Sequence, residues 1–242
     1  MDVRKIFFVG AGPGDPELLT LKAIKVLKTA NLIIYPGSII SKDIISEFNG
    51  EKIDSYKKSL EEIVDIISKA VDDGKTVVRL QSGDPSIYSA LDEQITELKK
   101  RDIDVEIIPG VSSVFASSAA LKKELTIPGI SQTVVITRPA GKTLDKDIIE
   151  ELARLPITLV ILLGIGLLEE LVEKIRKNRG IVPVSVVYHA SRVDQIIIDG
   201  DTEDIIDKVK SAGIKRTAVI IVWLEGNKKR SLLYRGEEKD ED

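Results

Sequence analysis

The strongest constraint on the fold is the alternation of short apolar runs with amphipathic segments in the first half of the chain. Strands are predicted at residues 6–9, 32–35, 76–80 and 105–108, and apolar residues at helical spacing predict helices at 16–28, 60–71 and 87–99. Strands that alternate with helices are typical of crossover connections. The first half therefore predicts an α/β fold with a mostly parallel sheet.

The second half alternates less regularly. Helices are predicted at 112–121, 145–155, 167–177 and 202–210, and strands at 133–137, 158–163, 183–188, 193–198, 218–223 and 231–234. Only one helix separates the last three strands, which favours antiparallel neighbours and a mixed sheet. We interpret the chain as two α/β domains, 1–110 and 111–236, followed by an acidic tail, 237–242, that is expected to be disordered.

Charge and residue usage exclude several classes of protein. The 242 residues include no Cys and one His, so no thiolate metal site or disulfide can form, and no protein-bound metal is expected. The net charge of −4 arises in the tail, which carries five acids and one base; residues 1–236 hold 34 charges of each sign. A neutral body argues against nucleic acid as a partner. No apolar run reaches the ~20 residues of a membrane span and no signal peptide is visible, so a cytoplasmic protein without a membrane partner is expected.

Two similar loops follow predicted strands. Residues 10–16 read Gly-Ala-Gly-Pro-Gly-Asp-Pro, where Asp15 before Pro16 predicts a helix N-cap. The glycine spacing is not the dinucleotide fingerprint, and it suits a tight turn as well as a ligand contact. Residues 82–88 read Ser-Gly-Asp-Pro-Ser-Ile-Tyr, and Asp84 again predicts an N-cap. Because both loops would lie at the carboxyl edge of an open sheet, together they favour a ligand site.

Other candidates are open to two interpretations. The loop 109–113, Pro-Gly-Val-Ser-Ser, suits a ligand or close helix packing, and 35–38, Tyr-Pro-Gly-Ser, indicates only a turn. Gly164 and Gly166 follow a predicted strand and leave room for a ligand. Arg138 is either an anion contact or a solvated strand end. A single His at a strand end, such as His189, is more often structural than catalytic.

Taken together, these loops resemble the tetrapyrrole methylase family, whose members transfer a methyl group from S-adenosylmethionine to corrinoid or sirohaem precursors. Residues 9–20, Val-Gly-Ala-Gly-Pro-Gly-Asp-Pro-Glu-Leu-Leu-Thr, resemble the opening signature of the family, 82–88 the central one and 109–113 the third. The resemblance spans about the whole chain.

Three further features resemble the branch that methylates precorrin-4 or cobalt-precorrin-4 at C-11. They are residues 35–38, Ser59-Leu60-Glu61-Glu62, and the run 124–138, Glu-Leu-Thr-Ile-Pro-Gly-Ile-Ser-Gln-Thr-Val-Val-Ile-Thr-Arg. The chain departs from the family at Gln81, where His is expected, and around His189 and residues 191–194, which differ from the usual Ala-Thr/Ser-Trp-Pro-Asp run. The second departure concerns the substrate contacts that the family pattern would place around His189.

The resemblance implies a donor and a tetrapyrrole held in a cleft between two α/β domains, and a homodimer. The donor residues it implies are Pro13, Ser82, Gly83, Asp84, Ile87, Ser112, Ser113, Leu163 and Ala190. The residues expected to contact the tetrapyrrole are Tyr35, Ser38, Arg138 and Lys142, with Arg79 and Arg192 as further cations that would meet its carboxylates or be solvated. No catalytic residue is assigned, because the electron-rich ring carbon is itself the nucleophile.

Several alternatives stay open at this stage. A methylase of the same fold could act on uroporphyrinogen III, on precorrin-2 or -3, or in sirohaem synthesis. From other classes, the chain could be a non-catalytic corrinoid-binding protein or a nucleotide-binding module, although the run 124–138 speaks against the last. Abundant Ile, Lys and Glu resemble heat-adapted proteins. That composition favours the cobalt-containing substrate of an anaerobic source.

Overall fold

The computed structural model describes residues 4–40, 42–141, 144–226 and 229. These residues form two compact units: the first lies within Met1–Ala116 and includes Ala190–Val193, and the second lies within Ser117–His189 and Asp194–Asp242. The predicted domain limits of 1–110 and 111–236 stay a prediction.

Within the described residues, the first unit contains a five-stranded sheet in the order β3-β2-β4-β1-β5, and all neighbouring pairs are parallel. Its strands are β1 (Lys5–Gly10), β2 (Leu32–Tyr35), β3 (Glu51–Asp54), β4 (Val77–Gln81) and β5 (Asp104–Ile108). Its helices are α1 (Leu21–Thr29), α2 (Lys42–Ser46), α3 (Leu60–Asp72), α4 (Leu91–Lys99) and the start of α5 (Ser113–Ala120). Because the strands are parallel, all five end at the same edge of the sheet, which we call the first carboxyl edge.

The three inner strands of this sheet, β1, β2 and β4, read as nearly continuous apolar runs because both of their faces are covered. Ile6 and Phe8 of β1 join a core cluster with Ile63 and Ile67 of α3. Val9, on the opposite face, packs in a cluster with α1. Alternation of side chains along a strand thus places helices on both faces of the parallel sheet.

The second unit contains a mixed five-stranded sheet in the order β6-β7-β10-β8-β9 among its described residues. Its strands are β6 (Val134–Thr137), β7 (Thr158–Ile161), β8 (Pro183–Tyr188), β9 (Ile196–Asp201) and β10 (Ala218–Val222). Its helices are α6 (Ile149–Leu152), α7 (Leu168–Arg179) and α8 (Ile205–Ser211). β6 pairs with β7 in parallel, whereas β10 is antiparallel to both β7 and β8. The strands β6, β7 and β8 therefore run in one direction and end at a common edge, the second carboxyl edge.

The α/β class and the mixed second sheet are confirmed, but several element bounds were wrong. The predicted helix 16–28 is split into a 3-10 turn, Pro16–Leu18, and α1, because Leu19 is extended and Thr20 caps α1 by accepting a hydrogen bond from the Ala23 N–H. The predicted helix 145–155 shrinks to α6, and the predicted strand 193–198 begins only at Ile196. The predicted strand 231–234 and the acidic tail 237–242 lie outside the described residues.

Two elements were missed. The short helix α2 and the strand β3 carry too many charged residues for the apolar pattern to reveal them. Conversely, the run Ser59–Glu62 has a local explanation as a capping box: the Ser59 hydroxyl accepts from the Glu62 N–H, and the Glu62 carboxylate accepts from the Ser59 N–H. No helix among the described residues is long and apolar enough to cross a membrane.

Candidate functional site

The glycine loop after β1 and the loop after β4 are joined backbone to backbone at the first carboxyl edge. The Gly12 N–H donates to the Gly83 carbonyl at 3.2 Å, and the Gly83 N–H donates back to the Gly12 carbonyl at 2.9 Å. The Ala11 N–H donates to the Gln81 carbonyl at 2.7 Å. The two loops thus extend the pairing of β1 and β4 beyond the ends of these strands.

The loop after β5 packs against this junction with no room for a side chain. A Cβ atom on Gly110 would lie 2.3 Å from the Gly83 carbonyl oxygen, and one on Gly10 would lie 2.5 Å from the Gly110 nitrogen. Gly83 has a φ of 65°, in the left-handed region that favours glycine. Close backbone approach therefore requires glycine at positions 10 and 110, whereas the left-handed backbone conformation favours it at position 83.

Asp84 ties the second loop to the third. One carboxylate oxygen of Asp84 accepts the Gly110 N–H at 2.9 Å, and the other accepts the Ser86 N–H at 2.8 Å and the Ser86 hydroxyl. Burial opposes ionisation of Asp84, but these hydrogen bonds outweigh it and hold the pKa of Asp84 below its usual value. The side chain is thus a structural anion that fixes two loops.

The predicted role of Asp84 as a helix N-cap was wrong. Residues 87–90 form a loop, and α4 begins only at Leu91, with Ala90 as its N-cap and no side-chain hydrogen bond there. Tyr88 and Ala90 have φ values of 51° and 52°, which are strained for side chains with a Cβ. The apolar spacing of this segment looked helical, but the left-handed conformations of Tyr88 and Ala90 are incompatible with an α-helix. The predicted N-cap at Asp15 is confirmed, since its carboxylate accepts from the Glu17 N–H.

The first carboxyl edge brings most of the predicted donor residues together. Pro13 and Ser112 are buried, Ser82, Asp84, Ile87 and Ser113 are half-buried, and an added Cβ on Gly83 would lie 3.7 Å from the Ser112 Cα. The Ser112 hydroxyl accepts the Val114 N–H at 3.3 Å and so caps α5. Ala190, although distant in sequence, belongs to the first unit and is buried there.

The turn after β2 lies at the same edge. Tyr35 is buried at the end of β2, opposite Asp54 at the end of β3, and Ser38 is exposed in the turn. An oxygen of Asp54 accepts the N–H groups of Gly37 and Tyr56, each at 2.8 Å. The sequence pattern did not predict a role for Asp54. Asp54 ends β3, and the charged residues of β3 gave no apolar strand pattern.

Other predicted residues lie in the second unit. Leu163 follows β7 with a φ of 56° and an exposed side chain, and half-buried Arg138 follows the neighbouring strand β6. The Leu162 N–H donates to the Thr137 carbonyl at 2.9 Å, so these two strand ends are adjacent. Lys142 lies outside the described residues.

Asp147 supports the loop that follows Arg138. Its carboxylate accepts from the Ala140 and Ile149 N–H groups at 2.8 and 3.1 Å, and Lys174 lies 3.6 Å away. Burial opposes ionisation, but the backbone hydrogen bonds and Lys174 hold the pKa of Asp147 below its usual value. Nothing in the sequence pattern distinguished Asp147 from the other acids of this region.

His189 ends β8 at the second carboxyl edge. Its Nδ1 lies 2.7 Å from an Asp194 carboxylate oxygen, and its ring stacks on Tyr188 with centroids 3.7 Å apart. The φ of His189 is 47°. The imidazole is therefore oriented from two sides.

One predicted substrate cation was wrong. Arg79 lies on β4, buried among the core residues, and donates to the Gln94 side chain at 3.1 Å, the Ser55 hydroxyl at 3.0 Å and the Ile34 carbonyl. Burial lowers the pKa of Arg79 to about 10. Its donors are used within the first unit, and alternation along β4 directs it into the fold. Among the described residues, no three His, Asp or Glu side chains cluster as a metal site requires.

Comparison with known proteins assigns this architecture to a class. A family model described as tetrapyrrole (corrin/porphyrin) methylases matches residues 5–206, and the chain belongs to this family. The match spans the three glycine-containing loops at the first carboxyl edge and most of the second sheet. The family resemblance inferred from the loop motifs is thus confirmed.

Within this family, the chain is similar to methyltransferases that are named for particular tetrapyrrole substrates. The chain is 51% identical, over 225 residues, to a cobalt-precorrin-4 C(11)-methyltransferase from Methanocaldococcus jannaschii; the match covers 90% of this chain and 87% of that protein. The X-ray structure of a cobalt-precorrin-4 methyltransferase superposes with a TM-score of 0.88 at 36% identity, covering 91% of this chain and 95% of the other. A uroporphyrin-III C-methyl transferase from Thermus thermophilus, complexed with S-adenyl homocysteine, superposes with a TM-score of 0.78 at 29% identity, covering 90% and 97%.

Proposed function

We propose that the protein transfers the methyl group of S-adenosylmethionine to C-11 of cobalt-precorrin-4, or of precorrin-4, during construction of the corrin ring of cobalamin. The observation that carries this proposal is the junction of the three glycine-containing loops at the first carboxyl edge, the place where open α/β sheets bind ligands. The name of the relative at 51% identity supports the choice of ring carbon, and the structure at 36% identity supports cobalt-precorrin-4 as the substrate.

The donor residues remain those that the family resemblance implies. Pro13, Ser82, Gly83, Asp84, Ile87, Ser112 and Ser113 of the first unit would line the donor site, with Ala190 and Leu163 as further contacts. The close backbone approach of Gly10 and Gly110 to the Gly83 carbonyl supports this proposal, because N–H and C=O groups at strand ends can hold an adenine and a carboxylate. Asp84 would act through the loops it joins rather than by proton transfer.

Tetrapyrrole contacts are proposed for Tyr35, Ser38, Arg138 and Lys142. A substrate with many carboxylates needs cations near its rim, and Arg138 ends a strand at the second carboxyl edge. Ser38 lies in a turn that Asp54 fixes through the Gly37 N–H, so its hydroxyl is presented from a well-supported backbone.

The chemistry asks little of the protein beyond positioning. The ring carbon attacks the methyl group, the new C–C bond forms as the S–C bond breaks, the electron pair stays on sulfur, and a proton leaves the ring. Since the sulfonium loses its charge as the methyl departs, a site that excludes water favours the reaction. The reacting atoms must be held about 3–3.5 Å apart and in line. Loops fixed by backbone hydrogen bonds suit that task.

The test is incubation with methyl-labelled S-adenosylmethionine and, in separate reactions, cobalt-precorrin-4, precorrin-4 and uroporphyrinogen III. Mass spectrometry should find one gained methyl with the first or second substrate, and NMR should place it at C-11. Methylation of uroporphyrinogen III instead would favour the alternative that the 29% identical neighbour suggests. Binding of tetrapyrrole and S-adenosylhomocysteine without transfer would indicate a non-catalytic corrinoid-binding protein.

The test variant is Gly110→Val, whose Cβ would meet the Gly83 carbonyl. Its matched control is Gly226→Val at an exposed position, where an added Cβ would make only an ordinary contact of 3.5 Å with the Ile130 side chain. Activity should be lost only in the first. A homodimer, a cytoplasmic location and the absence of a resident metal remain parts of the proposal. Light scattering on the purified protein tests the dimer, and elemental analysis tests the metal.

A further inference from the structure

A short segment far along the chain is built into the first unit. Residues Ala190–Val193 follow β8 and precede β9, yet they cluster with the first unit. Ser191 has a φ of 71°, and its hydroxyl accepts the Asp15 N–H at 3.1 Å. The segment is thus fastened to the glycine loop that begins after β1.

Arg192 makes the larger contact. Its Nη2 donates to the Ile39 carbonyl at 2.7 Å, and its Nε lies 3.4 Å from the Pro13 carbonyl oxygen. A Cβ on Gly14 would lie 2.3 Å from the Arg192 Cγ and 2.5 Å from its Nε, so the side chain rests directly on the glycine backbone. One guanidinium therefore bridges the glycine loop and the turn after β2.

The two bridged segments carry different parts of the proposed site. Pro13 stands among the proposed donor residues, and Ile39 follows Ser38, a proposed tetrapyrrole contact. The turn is itself ordered, since the Ile39 and Ile40 N–H groups both donate to the Pro36 carbonyl. Because Arg192 contacts both segments, a displacement of the glycine loop would also displace the turn after β2, and the reverse.

We propose that Arg192 is a positioning residue that couples the donor loop to the tetrapyrrole turn; this inference rests on the function proposed above. A guanidinium suits the role because its donors lie in a rigid fork, whereas a Lys ammonium on a flexible stem cannot hold two carbonyls in fixed directions. Misplacement of a reacting partner by about 1 Å can cost on the order of a hundredfold in rate. Arg192 therefore contributes without touching either reacting atom.

The first test compares Arg192→Met and Arg192→Lys with the wild type. Arg192→Met should weaken S-adenosylhomocysteine binding about tenfold in calorimetry and lower kcat by about as much, and Arg192→Lys should not restore either. Arg101→Met is the matched control, since Arg101 makes comparable bonds, to Ser68 and Asp65, before β5 at the opposite edge of the sheet. Unchanged binding, KM and kcat in Arg192→Met would overturn the inference.

The second test measures coupling. Tetrapyrrole should change the affinity for S-adenosylhomocysteine in the wild type, and linkage requires the reciprocal effect. In Arg192→Met the ratio of affinities with and without tetrapyrrole should approach one. A merely structural arginine would lower the melting temperature and leave that ratio unaltered, which would also count against the inference.

The third test is a double-mutant cycle with Gly14→Ala. An added methyl group should be harmful in the wild type because it meets Arg192, and less harmful in an Arg192→Ala background where that contact is gone. Strain from the φ of 151° at Gly14 is the same in both backgrounds and cancels. If the losses of S-adenosylhomocysteine affinity in Gly14→Ala and Arg192→Ala simply add in the double variant, the proposed contact between the two residues is wrong.

Failure of the proposed function would look different. If no tetrapyrrole is methylated but Arg192→Met still weakens S-adenosylhomocysteine binding, the reaction is wrong and the positioning of the donor loop stands. If the wild type methylates its substrate and Arg192→Met does so equally well with the same affinities, only the role of Arg192 falls. Hydrogen exchange at the Asp15 amide gives a readout independent of activity, and it should quicken in Arg192→Met.

Discussion

The Asp84 carboxylate accepts a hydrogen bond from the Gly110 N–H at 2.9 Å, across 26 positions of sequence. That bond joins the loop after β4 to the loop after β5, and the same side chain also closes its own loop through Ser86. The sequence motif places Asp84 in a predicted binding loop, and in the structure its side chain connects two loops by hydrogen bonds.

Replacing Asp84 should separate the two loops. Asp84→Ala leaves the Gly110 N–H without its acceptor, so we expect a loss of about 1 kcal/mol in the free energy of unfolding, a modest figure because solvent reaches the carboxylate, and weaker S-adenosylhomocysteine binding. Calorimetry and urea denaturation measure the two effects. Full donor affinity in Asp84→Ala would show that this bond does not shape the site.

The depressed pKa of Asp84 sets the pH dependence of that difference. A carboxyl whose pKa is lower in the folded protein contributes stability above its unfolded pKa, about 3.9, and loses it as the pH falls through the folded value. The gap between wild type and Asp84→Asn should therefore be constant near pH 7 and close below about pH 4. If the difference in the free energy of unfolding persists below about pH 4, it arises from side-chain packing and not from the charge of Asp84.

Glycine at position 110 should be indispensable for a steric reason. In Gly110→Ala the new Cβ would lie 2.3 Å from the Gly83 carbonyl oxygen, so one of the loops must move. We expect S-adenosylhomocysteine affinity to fall by at least about tenfold, or about 1.4 kcal/mol. Gly226→Ala, where the added Cβ would lie an ordinary 3.5 Å from the Ile130 side chain, should bind normally; equal affinity in both variants would contradict the proposed junction.

Arg79 should matter for stability and not for substrate binding. Arg79→Lys keeps the charge but loses the forked bonds to Gln94 and Ser55, so we expect unfolding to become easier by about 3 kcal/mol. The tetrapyrrole KM of the folded fraction should not change. A raised KM with normal stability would restore Arg79 as a substrate contact, and Arg101→Lys at the surface serves as the control.

A surface ion cluster predicts a second acid transition. The ammonium groups of Lys22 and Lys5 hold the pKa of Glu106 at about 2, so its contribution is present above about pH 4.3 and is lost as the pH falls through 2. The melting temperatures of wild type and Glu106→Gln should differ at pH 7 and converge near pH 2. Salt should narrow the difference at pH 7, because the groups are partly exposed.

Charge reversal at Arg138 and Lys142 tests the tetrapyrrole contacts. The double variant to Glu should raise the substrate KM and leave S-adenosylhomocysteine binding intact, because the proposed contacts of these cations are with the carboxylates of the tetrapyrrole. Reversal of Lys25 and Lys28, exposed on α1, changes the net charge equally and should leave the KM alone. An unchanged KM in the first variant would remove both residues from the proposed site.

Local chemistry explains which parts of the fold were predictable. Apolar runs such as Leu32–Tyr35 and Pro183–Tyr188 were placed correctly because a strand covered on both faces must be apolar throughout. The strand β3 escaped notice because an edge strand with charged residues has no such pattern. The segment 87–90 looked helical, yet Tyr88 and Ala90 adopt left-handed conformations that the apolar spacing does not reveal.

The amino-acid sequence by itself determined the α/β class, the mixed second sheet and the family, because strand burial, loop glycines and motif order are local properties of the chain. Only the tertiary structure decided what the polar residues do. Asp84 fastens loops instead of capping a helix, Arg79 is buried, and Arg192 bridges two segments about 150 positions away in sequence. Those roles depend on contacts between distant residues, and such contacts exist only once the parallel strands have brought their carboxyl ends to one edge.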